Sequence, residues 1–274
     1  MQGTSSLVLL TGVLAACLTS GCLTYGGQRG TENIQDPGPI SRIEIDIDAG
    51  SVDITSARGE VGARGAVASR WGEAAPEVLH YVSDGVLHVV GRCDSFNLAC
   101  RTDVTLEVGP EVSVGVNTGQ GTVRVTGLSG DVEVATDDGD IELYDVVGIV
   151  FVETGLGAVT GEGLAGKLID ARSEGGAIVL QVTAQPDRLV ARTESGDIHL
   201  VVPNGAYRLQ AEAPNGDLLL GNAVQNDATA SSVIVARTQN GNVRIDGGPR
   251  SGLPTPQKPR EETPPRRGQE PSTR

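Results

Sequence analysis

The sequence predicts an all-β protein whose body is a β-solenoid-like stack of short strands. Three observations predict it. A Gly-centred motif recurs along the chain, apolar residues alternate on both sides of each copy, and 38 glycines accompany only 3% aromatic residues. So few aromatics exclude a thick aromatic core, and a thin one of Val, Ile and Leu between close sheets fits better. Repetition at a short fixed period is the mark of a stacked architecture.

The motif reads Thr118-Gly119-Gln120-Gly121-Thr122-Val123, Thr136-Asp137-Asp138-Gly139-Asp140-Ile141 and Thr154-Gly155-Leu156-Gly157-Ala158-Val159. It continues as Ser173-Glu174-Gly175-Gly176, Thr193-Glu194-Ser195-Gly196, Ala213-Pro214-Asn215-Gly216 and Thr238-Gln239-Asn240-Gly241, with a degenerate first copy at Ala49-Gly50-Ser51-Val52. Successive glycines from Gly121 lie 18, 18, 19, 20, 20 and 25 residues apart. After each comes a small or polar residue and then apolar residues at every second position, as in a strand with one buried face. A second alternating run, such as Val132-Glu133-Val134, precedes each motif, so each repeat supplies two short strands and two turns. Glycine is expected at the corner because a tight turn commonly needs positive φ. Asp and Asn beside it can bond their own backbone. One repeat cannot bury a face alone, whereas stacking aligns equivalent apolar residues and the recurrent Thr into ladders. Seven rungs at about 4.8 Å give a stack of roughly 34 Å. An antiparallel β-sandwich built from hairpins is the alternative.

The runs Thr136 to Leu143 and Leu128-Ser129-Gly130-Asp131-Val132-Glu133-Val134 resemble the bacterial putative-adhesin family of β-strand repeats, a domain family of unknown function centred on Thr-x-x-Gly-Asp-Val-x-Val. The resemblance extends over about residues 40–247. It implies a β-solenoid-like body of the kind found on envelope proteins, and it brings no catalytic residues. The chain departs from the pattern at Asp137-Asp138, at Ala213-Pro214-Asn215 and in the insert that carries Cys93 and Cys100.

Residues 59–117 are less regular. Val61 to Arg70 and Glu77 to Val90 read as strands, the second broken by a Ser83-Asp84-Gly85 turn. They are expected to form an antiparallel cap, since the open end of a solenoid must be covered. Cys93 and Cys100 lie between two strand-like runs, Val86 to Val90 and Val104 to Val108. In an exported protein they are expected to form a disulfide, with so short a loop contributing about 2–3 kcal/mol.

The ends differ from the body. Leu7 to Leu18 is apolar but too short to span a bilayer, which takes about 20 residues, and it matches the core of an export signal. It closes on Leu14-Ala15-Ala16-Cys17, which resembles the lipobox of bacterial lipoproteins. That likeness implies acylation of Cys17 after removal of residues 1–16; Thr19-Ser20-Gly21-Cys22 makes Cys22 the alternative. Leu18 after Cys17, or Leu23 after Cys22, points by the same resemblance to the outer membrane. Residues 17–38 read as a flexible tether. Residues 249–274, rich in Pro, Arg and Glu, read as a disordered tail.

The net charge is −14 even though the tail after Gly248 holds six basic and three acidic residues. The body is therefore more acidic than the chain, which argues against nucleic-acid binding. His80, His88 and His199 stand at no metal-ligand spacing and read as strand positions. Asp138, Asp140, Asp197 and Asp217 fall on successive turns, where turn chemistry outweighs calcium binding. Trp71, Tyr81 and Tyr144 are scattered, a weak basis for a sugar platform. No nucleophile elbow or phosphate-binding loop occurs in a strand-to-helix setting, and basic or aromatic clusters of the kind that line glycan-processing grooves are not apparent. The sequence reads as a non-enzymatic envelope lipoprotein without cofactor. Its expected contacts are the membrane, through the anchor, and a protein or envelope polymer. A periplasmic structural or stress-linked accessory role is the alternative, and a glycan-acting β-helix enzyme the least favoured.

Overall fold

The computed structural model describes residues 28–36, 38–59, 62–94 and 99–248. Cys17, Cys22, the signal segment and the tail lie outside them. The described residues form 22 strands and no helix, arranged as two eleven-stranded sheets. Each coil gives one strand to a lead-in sheet, which runs into the glycine corner, and one to a lead-out sheet, which leaves it. Interior neighbours are parallel and in register, as in Val132↔Val150 and Ile141↔Val159. This is the solenoid and not the antiparallel sandwich.

Alternation decides which side chains form the core. Val150 and Val152 are buried while Phe151 between them points outward. One column of core residues runs Val116, Val134, Val152, Ala171, Ala191 and Ala236 across the lead-in sheet. A facing column runs Ile54, Val125 and Leu143, then Leu180, Leu200 and Ile245 in the lead-out sheet. Burying each Val, Leu or Ile is worth about 1.5–3 kcal/mol before the entropy of ordering is charged against it.

The corner glycines form the column the sequence implied, but the reason differs from the expected one. Positive φ occurs at Gly121 (131°), Gly196 (157°) and Gly241 (153°), not throughout the series. What the glycines share is close approach. A Cβ on Gly139 would lie 2.0 Å from the Gly121 carbonyl oxygen, one on Gly157 1.9 Å from that of Gly139, and one on Gly176 1.9 Å from that of Gly157. Gly196, Gly241 and Gly216 continue the column at 2.3, 2.2 and 1.9 Å. At four of these corners the hydroxyl three residues earlier locks the corner to its neighbour. Thr154, Ser173, Thr193 and Thr238 donate to the carbonyls of Gly139, Gly157, Gly176 and Gly196 at 2.8–3.0 Å. The Ser173 hydroxyl also accepts from the Gly176 N–H at 2.8 Å.

Chain order and stack order part at both ends. The coil at 233–247 lies between the coils at 188–202 and 208–220, pairing with both in both sheets. The motif around Gly216 is thus the outer rung, not the one before the last. Thr238 continues the hydroxyl column by reaching Gly196, whereas Ala213 has no hydroxyl to offer. The other end mirrors this. The coil at 42–56, read from sequence as degenerate, is a full rung between the coils at 86–108 and 113–126. Nine coils stack among the described residues, two more than the seven motifs counted from Gly121.

Within the supposed irregular segment 59–117, residues 86–108 are therefore a coil, residues from Ser113 onward begin another, and two further strands cap coil 86–108. Strand Ala63–Trp71 runs antiparallel to Arg101–Val108, and Glu77–Ser83 antiparallel to Val86–Arg92. The hairpin turn has positive φ at Asp84 (52°) and Gly85 (78°), the primed geometry that matches strand twist. The segment expected to be a tether overlaps the body at residues 28–36. Gln28–Asp36 is a strand antiparallel to Ala63–Trp71 over nine pairs, with Ile34 buried. Backbone pairing holds this otherwise polar segment, which apolar patterning could not reveal. At the opposite end Tyr207 is fully buried and donates its hydroxyl to the Pro203 carbonyl at 2.7 Å.

Candidate functional site

Several residues singled out in the sequence have structural duties. Cys93 and Cys100 form a disulfide, with Cα atoms 5.8 Å apart, at the corner of coil 86–108 where other coils carry glycine. Asp140 accepts the Ala158 N–H at 2.9 Å and Asp197 the Asn242 N–H at 2.7 Å. These acids tie one coil to the next, a turn role that extends between rungs. The histidines do not converge. His80 lies 3.6 Å from Glu32, and His88 lies 3.5 Å from Glu44 and stacks on Tyr81. His199 lies 3.0 Å from Asp246, which also accepts from Arg244. Trp71 packs over Gly30, where a Cβ would meet its ring at 3.1 Å.

The feature that sequence reading missed is on the outer face of the lead-in sheet. Three arginines, Arg172, Arg192 and Arg237, stand in register on adjacent coils. Glu153 and Glu212 close the two ends of their column. Alternation places each arginine outward, immediately before the buried hydroxyl of the corner. A groove of about 410 Å³ runs along them, with Glu174, Glu194 and Pro214 among its walls.

Like charges one rung apart repel, so the partners of each guanidinium matter. Arg172 is held by Asp170 through two hydrogen bonds of 2.9 Å, which raise its pKa further. Arg237 lies 3.3 Å from Glu212, yet its Nε is buried without an acceptor. Arg192, in the middle, has no ion pair among the described residues. Beside the column, Val190, Val233 and Val235 form a small buried apolar cluster on this outer face, where arginine stems can cover apolar surface while their heads stay wet. Arg188 and Arg208 flank Val233 in the neighbouring strands. Phe151, 44% exposed, stands at the end of this area in a smaller groove with Glu133, Glu153, Asp170 and Arg172.

A signal for the column was present in the sequence. Ala171-Arg172-Ser173, Ala191-Arg192-Thr193 and Ala236-Arg237-Thr238 repeat one tripeptide. The arginines looked scattered because 20 and 45 residues separate them, and only the stacking order makes them neighbours.

Stacked parallel coils, a glycine corner column and an outward-facing groove define a β-repeat protein. The chain belongs to the Toastrack DUF4097 family, whose model matches residues 39–252. Among solved structures it is similar to a putative adhesin from Bacteroides fragilis, at 14% identity over 81% of this chain and 97% of that one, with a TM-score of 0.45. It is also similar to a putative cell adhesion protein from Clostridium sporogenes, at 12% identity over 81% and 100%, TM-score 0.36. A putative adhesin from Parabacteroides merdae follows at 13% identity over 80% and 97%, TM-score 0.35. No curated protein matches the chain.

Proposed function

We propose that the protein is a non-enzymatic envelope lipoprotein, acylated at Cys17, whose stacked body makes contact with a protein or polymer through the outer face of the lead-in sheet. The observation that carries the contact role is the column Arg172, Arg192, Arg237, three cations set along the stack axis of an acidic molecule. The groups of this groove repeat along the axis and do not converge on one point, which suits holding an extended partner rather than transforming a small one. The anchor rests on Leu14-Ala15-Ala16-Cys17 and on the preceding apolar run. Several acyl chains would hold the body firmly, where one chain is marginal.

Fractionation and protease access test the placement. Wild-type protein is expected in the membrane fraction, Cys17→Ala in the soluble fraction, and Cys22→Ala with the wild type. Trypsin added to intact cells is expected to cut at Arg266 and Arg267. Retention of Cys17→Ala together with release of Cys22→Ala would move the anchor to Cys22. Protection of the tail until the outer membrane is opened would count against outward contact and favour the periplasmic accessory role.

A further inference from the structure

We infer that the groove over Arg172, Arg192 and Arg237 binds an acidic polysaccharide, a glycan carrying carboxylates along its length, laid parallel to the stack axis. This rests on the contact reading of the same face and is independent of the anchor.

The chemistry of the walls selects the ligand. Arg172 and Arg237 already meet Asp170 and Glu212, whereas the middle member of the column has unused capacity. Arg192 has no ion pair among the described residues. A guanidinium presents a planar fork of donors that matches a carboxylate. Two residues further along the chain from each arginine, Glu174, Glu194 and Gln239 line the same groove, so carbonyl and carboxylate acceptors run beside the donors. A polyanion with nothing to donate would be repelled by Glu174 and Glu194. A uronate residue offers both partners, a carboxylate for the arginine and hydroxyls that donate to the glutamates.

Dimensions agree. The coil carrying Phe151 and the coil carrying Glu212 are four steps apart in the stack, about 19 Å at the interstrand spacing. One step is close to the advance of one extended pyranose residue, so successive sugars meet successive arginines. At one end Phe151, 44% exposed, lies in a groove of about 170 Å³ walled by Glu133, Glu153, Asp170 and Arg172. An exposed aromatic face beside carboxylates and an arginine is a stacking platform for a sugar ring. Arg188 and Arg208, either side of Val233, add positive charge nearby. An acidic peptide strand could satisfy the arginines, but it supplies neither the hydroxyl donors nor the ring for Phe151.

Isothermal titration of the purified body, residues 28–274, with a hexameric polygalacturonate tests the assignment. Saturable one-to-one binding is expected, weaker by about tenfold in Arg192→Gln and only partly restored in Arg192→Lys, because the planar fork is lost. Phe151→Ala is expected to weaken the hexauronate but not inorganic sulfate, and the carboxyl-reduced hexasaccharide to bind at least tenfold more weakly. Unchanged far-UV circular dichroism and urea midpoints would show that the variants fold. Equal affinity for tripolyphosphate would overturn the glycan assignment, as would hexauronate binding indifferent to Arg192→Gln. Absence of hexauronate binding, with isolated envelopes still captured by wild type and not by Arg192→Gln, would overturn the ligand class while leaving the contact role standing. Capture of neither would remove both.

Discussion

Each glycine in the corner column occupies a place where the carbonyl of the neighbouring coil fills the volume of a side chain. Gly157→Ala would drive a methyl to 1.9 Å from the Gly139 oxygen, a backbone atom that cannot step aside. The expected cost is at the upper end of the ~1–3 kcal/mol typical of overpacking. Gly205→Ala is the control, since its nearest neighbour is the Tyr207 ring at 3.8 Å, and it should change the urea midpoint little. The hydroxyl column gives a sharper contrast. Thr193→Val removes the donor to the Gly176 carbonyl and should cost about 1 kcal/mol. Thr136 is also buried but its hydroxyl has no partner, so Thr136→Val should be neutral or stabilising by the same urea titration. The motif Thr-x-x-Gly was plain in the sequence and so was its position at a corner. The force that demands glycine was not, because close approach belongs to the pair of coils and not to the dihedral of one residue. Arg172, Arg192 and Arg237 were missed for a related reason, since each is ordinary alone and only adjacency makes it a site.

Among elements, the joint between coil 86–108 and coil 42–56 depends on charge. Arg92 holds both oxygens of Asp46 and reaches Asp48 at 3.1 Å, while Asp48 also accepts the Cys93 N–H at 2.8 Å. The hydrogen bonds from Arg92 hold the Asp46 carboxyl below its ordinary 3.8. A carboxylate lowered in the folded state stabilises fully above its unfolded value and loses that contribution as the pH falls through the folded one. Asp46→Asn should therefore cost about 0.5 kcal/mol near neutral pH, small because both side chains are 44% exposed. In urea titrations the gap between variant and wild type should close as the pH drops below 3.8. The hairpin around Ser83-Asp84-Gly85 was legible from its residues alone, since they carry their own turn geometry. Strand Gln28–Asp36 was not legible. Its sequence, QRGTENIQD, buries only Ile34, and what recruits it is the free edge of a strand whose paired residues lie 27 to 43 positions further on.

For the whole molecule, rungs that contact only their neighbours make stability a sum of local interfaces. The out-of-order terminal coil makes that sum directional. Coil 208–220 meets the stack only through coil 233–247 in both sheets. A chain ending at residue 232 should lose amide protection over Arg208 to Glu212 and Leu218 to Leu220, although those residues are still present, while the rungs from 132 to 182 keep theirs. Hydrogen exchange read by mass spectrometry distinguishes this from simple fraying, in which the segment nearest the cut would be the only one affected. The seven-fold motif made the stack legible, yet no property of Gly216 or Gly241 taken alone orders them. The hydroxyl of Thr238, which Ala213 lacks, accompanies the inner position by bonding the Gly196 carbonyl.

The position of those two terminal coils also governs how the molecule bears tension. A pull at Gly248 enters strand Val243–Gly247, which has a hydrogen-bonded neighbour on each side, as does Val233–Asn240 before it. At the other end strand Gln28–Asp36 strips away first, and the load then reaches Arg42–Ala49, again gripped from both sides. Each loose end is tucked beneath the turn next to it, as in a rope splice. Drawing on either end shears two ladders at once where an ordinary coil would peel off one.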